Sequence, residues 1–237
     1  EDEAPFLFTV CTLFINFVVM KKFCFVFLFT LLSSFSFGQN PFYQQKISEF
    51  SQMRPVDSTD VVMVGDGLTE YAGDWNKLLQ WRHIRNRGIA GDRIKGVASR
   101  LHSVLQGKPK ALFLMAGVND ILEKETLPTV LHDYIDLINL VRKTSPETKL
   151  YVQSLLPVNE TFSNEKLSGM TNTIASFNVQ LRHYCERYHV GYINIFKRFV
   201  RHGTNEMRRE LTSDGLHLTP FGYKVWAFEL KKYLLDL

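Results

Sequence analysis

From residue 61 onward, hydrophobic and polar positions follow two alternating patterns. Short runs at Val61–Val64, His83–Arg87, Ala111–Met115, Leu150–Leu155 and Tyr192–Phe196 have the length and flanks of strands. Between them, helix-spaced patterns cover about 92–106, 126–143 and 170–188, and a last one runs over about 219–235. In the second of these, Leu127, Val130, Leu131, Tyr134, Ile138 and Val141 repeat at the spacing of one buried face. The last shows Tyr223, Trp226, Leu230 and Tyr233. A short amphipathic helix is predicted in "NPFYQQKISEFSQM", ahead of a turn at Pro55. Strands alternating with helices predict a parallel sheet covered on both faces. Right-handed crossovers then bring every strand's carboxyl end to one edge, where open α/β sheets bind ligands.

The amino-terminal forty residues break this picture. "MKKFCFVFLFTLLSSFSFGQN" opens at Met20 with two lysines, continues as a Phe/Leu run and ends in small residues. That order predicts a signal peptide over residues 20–38, cleaved near Gly38 or Gln39, and hence a periplasmic or secreted protein. Residues 1–19 are apolar too and sit awkwardly upstream. A translation start at Met20 is the simpler reading, with a membrane anchor or a two-segment hairpin as the alternative. The functional domain is then 39–237, and membrane contact is expected only through the N-terminal segment.

Composition adds few constraints. With 45% hydrophobic and 22% charged residues the chain is ordinary for a globular protein. Cys11 and Cys24 fall in the N-terminal segment, which leaves Cys185 alone on a helical apolar stripe, a buried thiol rather than a nucleophile. The seven histidines form no metal-ligand pattern. The net charge of +4 is mild. The local basic bias of Arg82, Arg85, Arg87, Lys95 and Arg100 lacks an interleaved aromatic platform, so it reads as solvated surface and not as a nucleic-acid site.

The chemistry lies in short motifs at the predicted strand ends. Gly65-Asp66-Gly67-Leu68-Thr69-Glu70 follows the first strand, and Asn86-Arg87-Gly88-Ile89-Ala90-Gly91-Asp92 runs out of the second. Gly117-Val118-Asn119-Asp120 follows the third, and Asp214-Gly215-Leu216-His217-Leu218 precedes the last helix. Asp214 and His217 are three positions apart, so one turn can set a carboxylate beside an imidazole and fix its tautomer, as a general base requires. The Asn119 amide and the Gly91 N–H are of the type that donates to a developing oxyanion. Taken singly, each motif also suits a plain turn or a helix cap. The polar loop 157–169 is the longest irregular segment and is placed to cover a site at this edge; its Asn159-Glu160-Thr161 is a glycosylation sequon only in a eukaryotic secretory route.

Together, in this order, the four motifs resemble those of the SGNH hydrolases, or GDSL esterases and lipases, over about residues 58–236. The likeness is greatest to the small single-domain acetylesterases and platelet-activating-factor acetylhydrolase subunits. The resemblance implies a flavodoxin-like three-layer α/β/α fold with a five-stranded parallel sheet. It also implies hydrolysis of acetyl or short acyl esters on carbohydrate or lipid, with no metal or organic cofactor. By position, His217 would be the base, Asp214 its orienting partner, and Gly91 and Asn119 the oxyanion hole. The family's nucleophilic serine belongs at residue 67, where this chain has Gly67.

Three accounts of Gly67 remain open. Another hydroxyl attacks, although Thr69 lies beyond the turn and Ser99 and Ser103 lie inside a predicted helix. Alternatively, His217 activates water directly and activity is weak. Or the chain is an inactive pseudo-esterase that binds an acylated glycan or lipid. A flavodoxin-like phosphate or flavin binder is disfavoured, because the turn at 65–70 has no phosphate-binding lysine.

Overall fold

The apolar run Val61–Val64 becomes an inner strand of a five-stranded parallel sheet in the computed structural model, which describes residues 41–237. The segments 1–19 and 20–38, with Cys11 and Cys24, lie outside the described residues. The strands are β1 Val61–Gly65, β2 Ile84–Gly88, β3 Ala111–Met115, β4 Lys149–Gln153 and β5 Gly191–Ile193. Their spatial order is β2-β1-β3-β4-β5, with Val61 opposite Ile84 on one side and Ala111 on the other. This is the flavodoxin-like order, and chain direction across the sheet reverses between β1 and β3. All five residues of β1 and of β3 are buried, as a sheet covered on both faces demands.

The chain divides into two compact units, one ending at Gln45 and one running from Lys46 to Leu237. Helix α1, Pro41–Gln52, begins in the first, of which residues 41–45 are described; the second contains the sheet. Its helices are α2 Gly67–Glu70, α3 Trp75–Leu79, α4 Ile94–Arg100, α5 His102–Leu105, α6 Val118–Leu122, α7 Leu127–Thr144, α8 Met170–Arg187, α9 Phe196–Phe199 and α10 Pro220–Leu234. Helices α4, α7 and α8 pack in succession, and α3 packs on α10 through the edge-on Trp75–Trp226 pair at 5.2 Å. Helix α7 starts as its sequence dictates, with Thr126 as N-cap and a proline in the first turn, and buries Val130, Tyr134, Ile138 and Val141.

Several expectations need correction. The pattern over 92–106 is two helices, because the chain breaks between α4 and α5 at Leu101. The strand expected over Tyr192–Phe196 stops at Ile193, and Phe196 opens α9 instead. The short α2, α3 and α6 carry too few residues to show a period and were invisible in the pattern. Arg87 and Arg100 are not solvated surface but are 5% and 9% exposed. Arg100 donates to Asp92 (2.8 Å) and to the carbonyls of Arg87 (2.7 Å) and Gly65 (2.9 Å), tying α4 to the ends of β1 and β2. Cys185 is fully buried, and burial pushes its thiol up to about 12.

Candidate active site

Where β1 ends, the backbone must turn sharply beside β3. A Cβ on Gly65 would come within 2.3 Å of both the Met115 carbonyl and the Thr69 hydroxyl, so only glycine fits. Asp66 then caps α2, its Oδ1 accepting the Leu68 N–H at 2.9 Å. Its carboxyl is buried, and Oδ2 has no partner among the described residues. Burial pushes this group up to about 7, with Asp92 and Asp120 nearby adding to the rise. Gly67 is the first residue of α2 and does not need glycine's freedom. Its φ lies outside the left-handed region, and an added Cβ would stand 3.2 Å from Ala90 Cα and 3.3 Å from Tyr71 Cε2. The turn therefore has the backbone of a position that accepts an ordinary side chain.

The Gly67 turn is clamped to the β2 exit. Asn86 Nδ2 donates to the carbonyls of Thr69 (3.1 Å), Glu70 (3.1 Å) and Gly73 (3.0 Å), while its Oδ1 accepts the Gly88 N–H. Glu70 accepts the Ala90 N–H at 2.6 Å and pairs with Lys46 at 3.2 Å. Next in the chain is Gly91, at φ +75° and exposed, whose N–H has no acceptor among the described residues. Asn119 Nδ2 donates to the Asp92 carbonyl at 2.7 Å, which sets the amide beside that loop and leaves its second N–H uncommitted. Asp92 itself is engaged by Arg100; burial raises its pKa, against the pull of that guanidinium.

Asp214 and His217 sit on the loop before α10, whose N-cap is Thr219. Asp214 is thus not a helix cap. Its Oδ1 accepts the backbone N–H of Leu216 (2.9 Å) and His217 (2.7 Å), and its Oδ2 lies 2.6 Å from His217 Nδ1. Burial raises the Asp214 pKa, but the hydrogen bonds from the His217 ring and these two N–H groups outweigh it and hold it below the usual carboxylate value. With Nδ1–H donating to a carboxylate, His217 Nε2 is the free base.

Tyr71 joins the two halves. Its N–H donates to the Gly67 carbonyl at 2.8 Å, its ring edge borders position 67, and its centroid lies 5.6 Å from that of His217. Loop 157–169 braces the opposite side: the Asn159 N–H donates to the Gly215 carbonyl at 2.8 Å, and Leu167 and Phe162 pack where a Gly215 Cβ would stand. Asn159 is buried, with Nδ2 on the Met207 carbonyl, so the sequon is sealed in the fold. Thr69 is buried with its hydroxyl against Gly65, and Ser99 and Ser103 are bonded to carbonyls of their own helical segment.

Contacts link these positions in turn: Asp214 to His217, His217 to Tyr71, Tyr71 to Gly67, Gly67 to Ala90 beside Gly91, and Asn119 to Asp92 on its other side. Sequence reasoning missed Tyr71, and it placed Glu70 and Asn86 inside the first and second motifs without giving either a role. Tyr71 lies one helical turn from Gly67, a spacing that reveals it only once α2 is known to be helical.

The Asp214–His217 pair thus meets the β1-to-α2 turn at Gly67 through the Tyr71 ring. The chain belongs to the GDSL-like lipase/acylhydrolase family, whose sequence model matches residues 57–225. Among solved structures, it is similar to a Streptococcus pneumonia protein provisionally assigned as a platelet activating factor. That likeness has 25% identity and a TM-score of 0.74, over 88% of this chain and 99% of that one. It is also similar to a GDSL-like lipase from Bacteroides thetaiotaomicron, at 19% identity and TM-score 0.72 over 82% and 97% of the two chains. An acetyl xylan esterase matches at 22% identity and TM-score 0.62, over 73% and 98%. None of the curated proteins matches the chain significantly.

Proposed function

We propose that this protein is an exported hydrolase of acetyl or short acyl esters on carbohydrate or lipid, slowed by the absence of a side-chain nucleophile at Gly67. The observation that carries the reading is the 2.6 Å Asp214–His217 pair across the Tyr71 ring from a turn whose backbone still suits a serine. In this reading a water molecule occupies the nucleophile's place. His217 Nε2 takes its proton as the water oxygen bonds to the ester carbonyl carbon. The carbonyl oxygen gains charge, and the Gly91 N–H and the free Asn119 N–H donate to it. Collapse breaks the carbon–alkoxy bond, the leaving oxygen takes the proton back from His217, and acid and alcohol leave. Asp214 holds the ring's tautomer throughout and stabilises the imidazolium.

Magnitude explains why the activity is slow. Losing the nucleophile of a serine hydrolase costs about 10⁶-fold in turnover, while binding and oxyanion stabilisation retain roughly 10³–10⁴-fold over water. Gly67→Ser is therefore expected to raise turnover of an aryl acetate by roughly 10³-fold or more. His217→Ala in that background should remove the gain. A folded Gly67→Ser protein as inert as the parent would sink the esterase reading. Saturable binding of an acetylated glycan without turnover in either protein would favour the pseudo-esterase instead.

A further inference from the structure

Helix α10 turns one face to the core through Tyr223, Trp226, Leu230 and Leu234, and its opposite face remains unexplained. There Phe221 and Phe228 are seven residues apart, two turns on one side, and are 52% and 73% exposed. They border an open groove of about 620 Å³ together with Lys224 and the segment after β5. That segment contributes Lys197, Arg198, His202 and Arg208, and none of the groove's lining residues is acidic.

The cations are only partly neutralised. Arg198 pairs with Glu229 at 2.8 Å, a buried carboxylate that also meets Lys232, and Arg208 reaches Glu210 at 3.6 Å. Lys197, His202 and Lys224 have no carboxylate partner among the described residues. The position is equally specific. Lys197 follows the carboxyl end of β5 by four residues, and Phe221 follows His217 by four. Both residues thus lie close in sequence to segments at the carboxyl edge, the end of β5 and the loop that carries His217.

We propose that this groove docks the protein on an anionic lipid surface. Phe221 and Phe228 enter the acyl boundary while Lys197, Lys224 and the arginines meet the headgroups. Such a surface satisfies both halves of the patch. A soluble polyanion would neutralise the lysines but leave two phenylalanines in water. A second copy of the chain would cover the phenylalanines but set like charges against each other. Amphipathic helices bind bilayers through this combination of aromatic and basic side chains. This contact is separate from the N-terminal apolar segment.

The test is partition of the full chain onto phosphatidylcholine vesicles with and without phosphatidylglycerol. The N-terminal segment is common to every variant and is scored by the neutral vesicles. The parent should prefer phosphatidylglycerol vesicles and lose that preference in high salt. Lys197→Gln/Lys224→Gln should weaken this partition roughly thirty-fold, and Phe221→Ser/Phe228→Ser at least about tenfold. All four side chains are exposed, so thermal unfolding should be unchanged. Equal partition on both vesicle types, or either double variant partitioning like the parent, overturns the proposal. So does capture of poly-glutamate without vesicle binding, or a concentration-dependent dimer that the same substitutions abolish. Vesicle binding requires no hydrolysis, so an inert Gly67→Ser protein would leave this result standing while removing the esterase reading.

Discussion

Two glycines two residues apart have opposite reasons for being glycine. At Gly65 a methyl group would sit 2.3 Å from a β3 carbonyl that cannot move without breaking the sheet. At Gly67 the nearest atoms are 3.2–3.4 Å away, and one of them belongs to the exposed Tyr71 side chain. Gly65→Ala should therefore lower stability by about 3 kcal/mol or more. Gly67→Ala should fall within about 1 kcal/mol of the parent, because slight crowding is offset by the lost flexibility of the unfolded chain. Paired denaturant titrations would show this, and equal losses at both sites would mean that the turn is not a serine-compatible one. The sequence singled out position 67 through the family resemblance, and the strand end it expected there is the β1-to-α2 turn. It was silent on Tyr71, whose relation to His217 depends on a loop 146 residues away in the chain.

At the scale of elements, the site is a joint between strand ends. Asn86 on β2 closes it, donating to three carbonyls of the segment from Thr69 to Gly73 and accepting from Gly88. Asn86→Ala leaves those carbonyls without their shared donor and should destabilise the fold by about 2 kcal/mol. In a Gly67→Ser background it should also lower turnover more than it changes KM, since the loop bearing Ala90 and Gly91 is fixed through the same clamp. Unchanged kinetics with reduced stability would confine Asn86 to a folding role. The elements themselves were mostly legible, because long helices and buried strands impose a period on the residues. The exceptions have physical causes. Leu101 divides one apolar pattern into two helices, α2, α3 and α6 are shorter than the pattern can register, and β5 ends early where Phe196 is recruited into α9.

Across the whole molecule, buried charge is concentrated beneath the site, and this was the part least legible in the sequence. Arg87 and Arg100 read as surface because burial of a charge depends on partners from other elements, here Asp92 and main-chain carbonyls for Arg100. Asp66 is the unbalanced member, buried, with one oxygen unpaired and its pKa pushed up to about 7 from an ordinary 3.8. Over pH 4–7 the folded protein therefore holds a proton here that the unfolded chain has released. Below about 4 both states are protonated and Asp66 imposes no penalty; as pH rises toward 7 the penalty grows, then levels off. Stability should accordingly fall across that window, by up to about 4 kcal/mol from this group. Asp214, held below its usual value, loses stability only as pH falls further, so the two effects occupy different windows. Asp66→Asn preserves an oxygen for the Leu68 N–H and cannot ionise. Denaturant titrations at pH 4.5 and pH 8 should show the variant gaining on the parent at the higher pH. A parent and variant that keep the same stability difference at both values would mean that Asp66 is ionised throughout, with a partner that the buried turn does not provide.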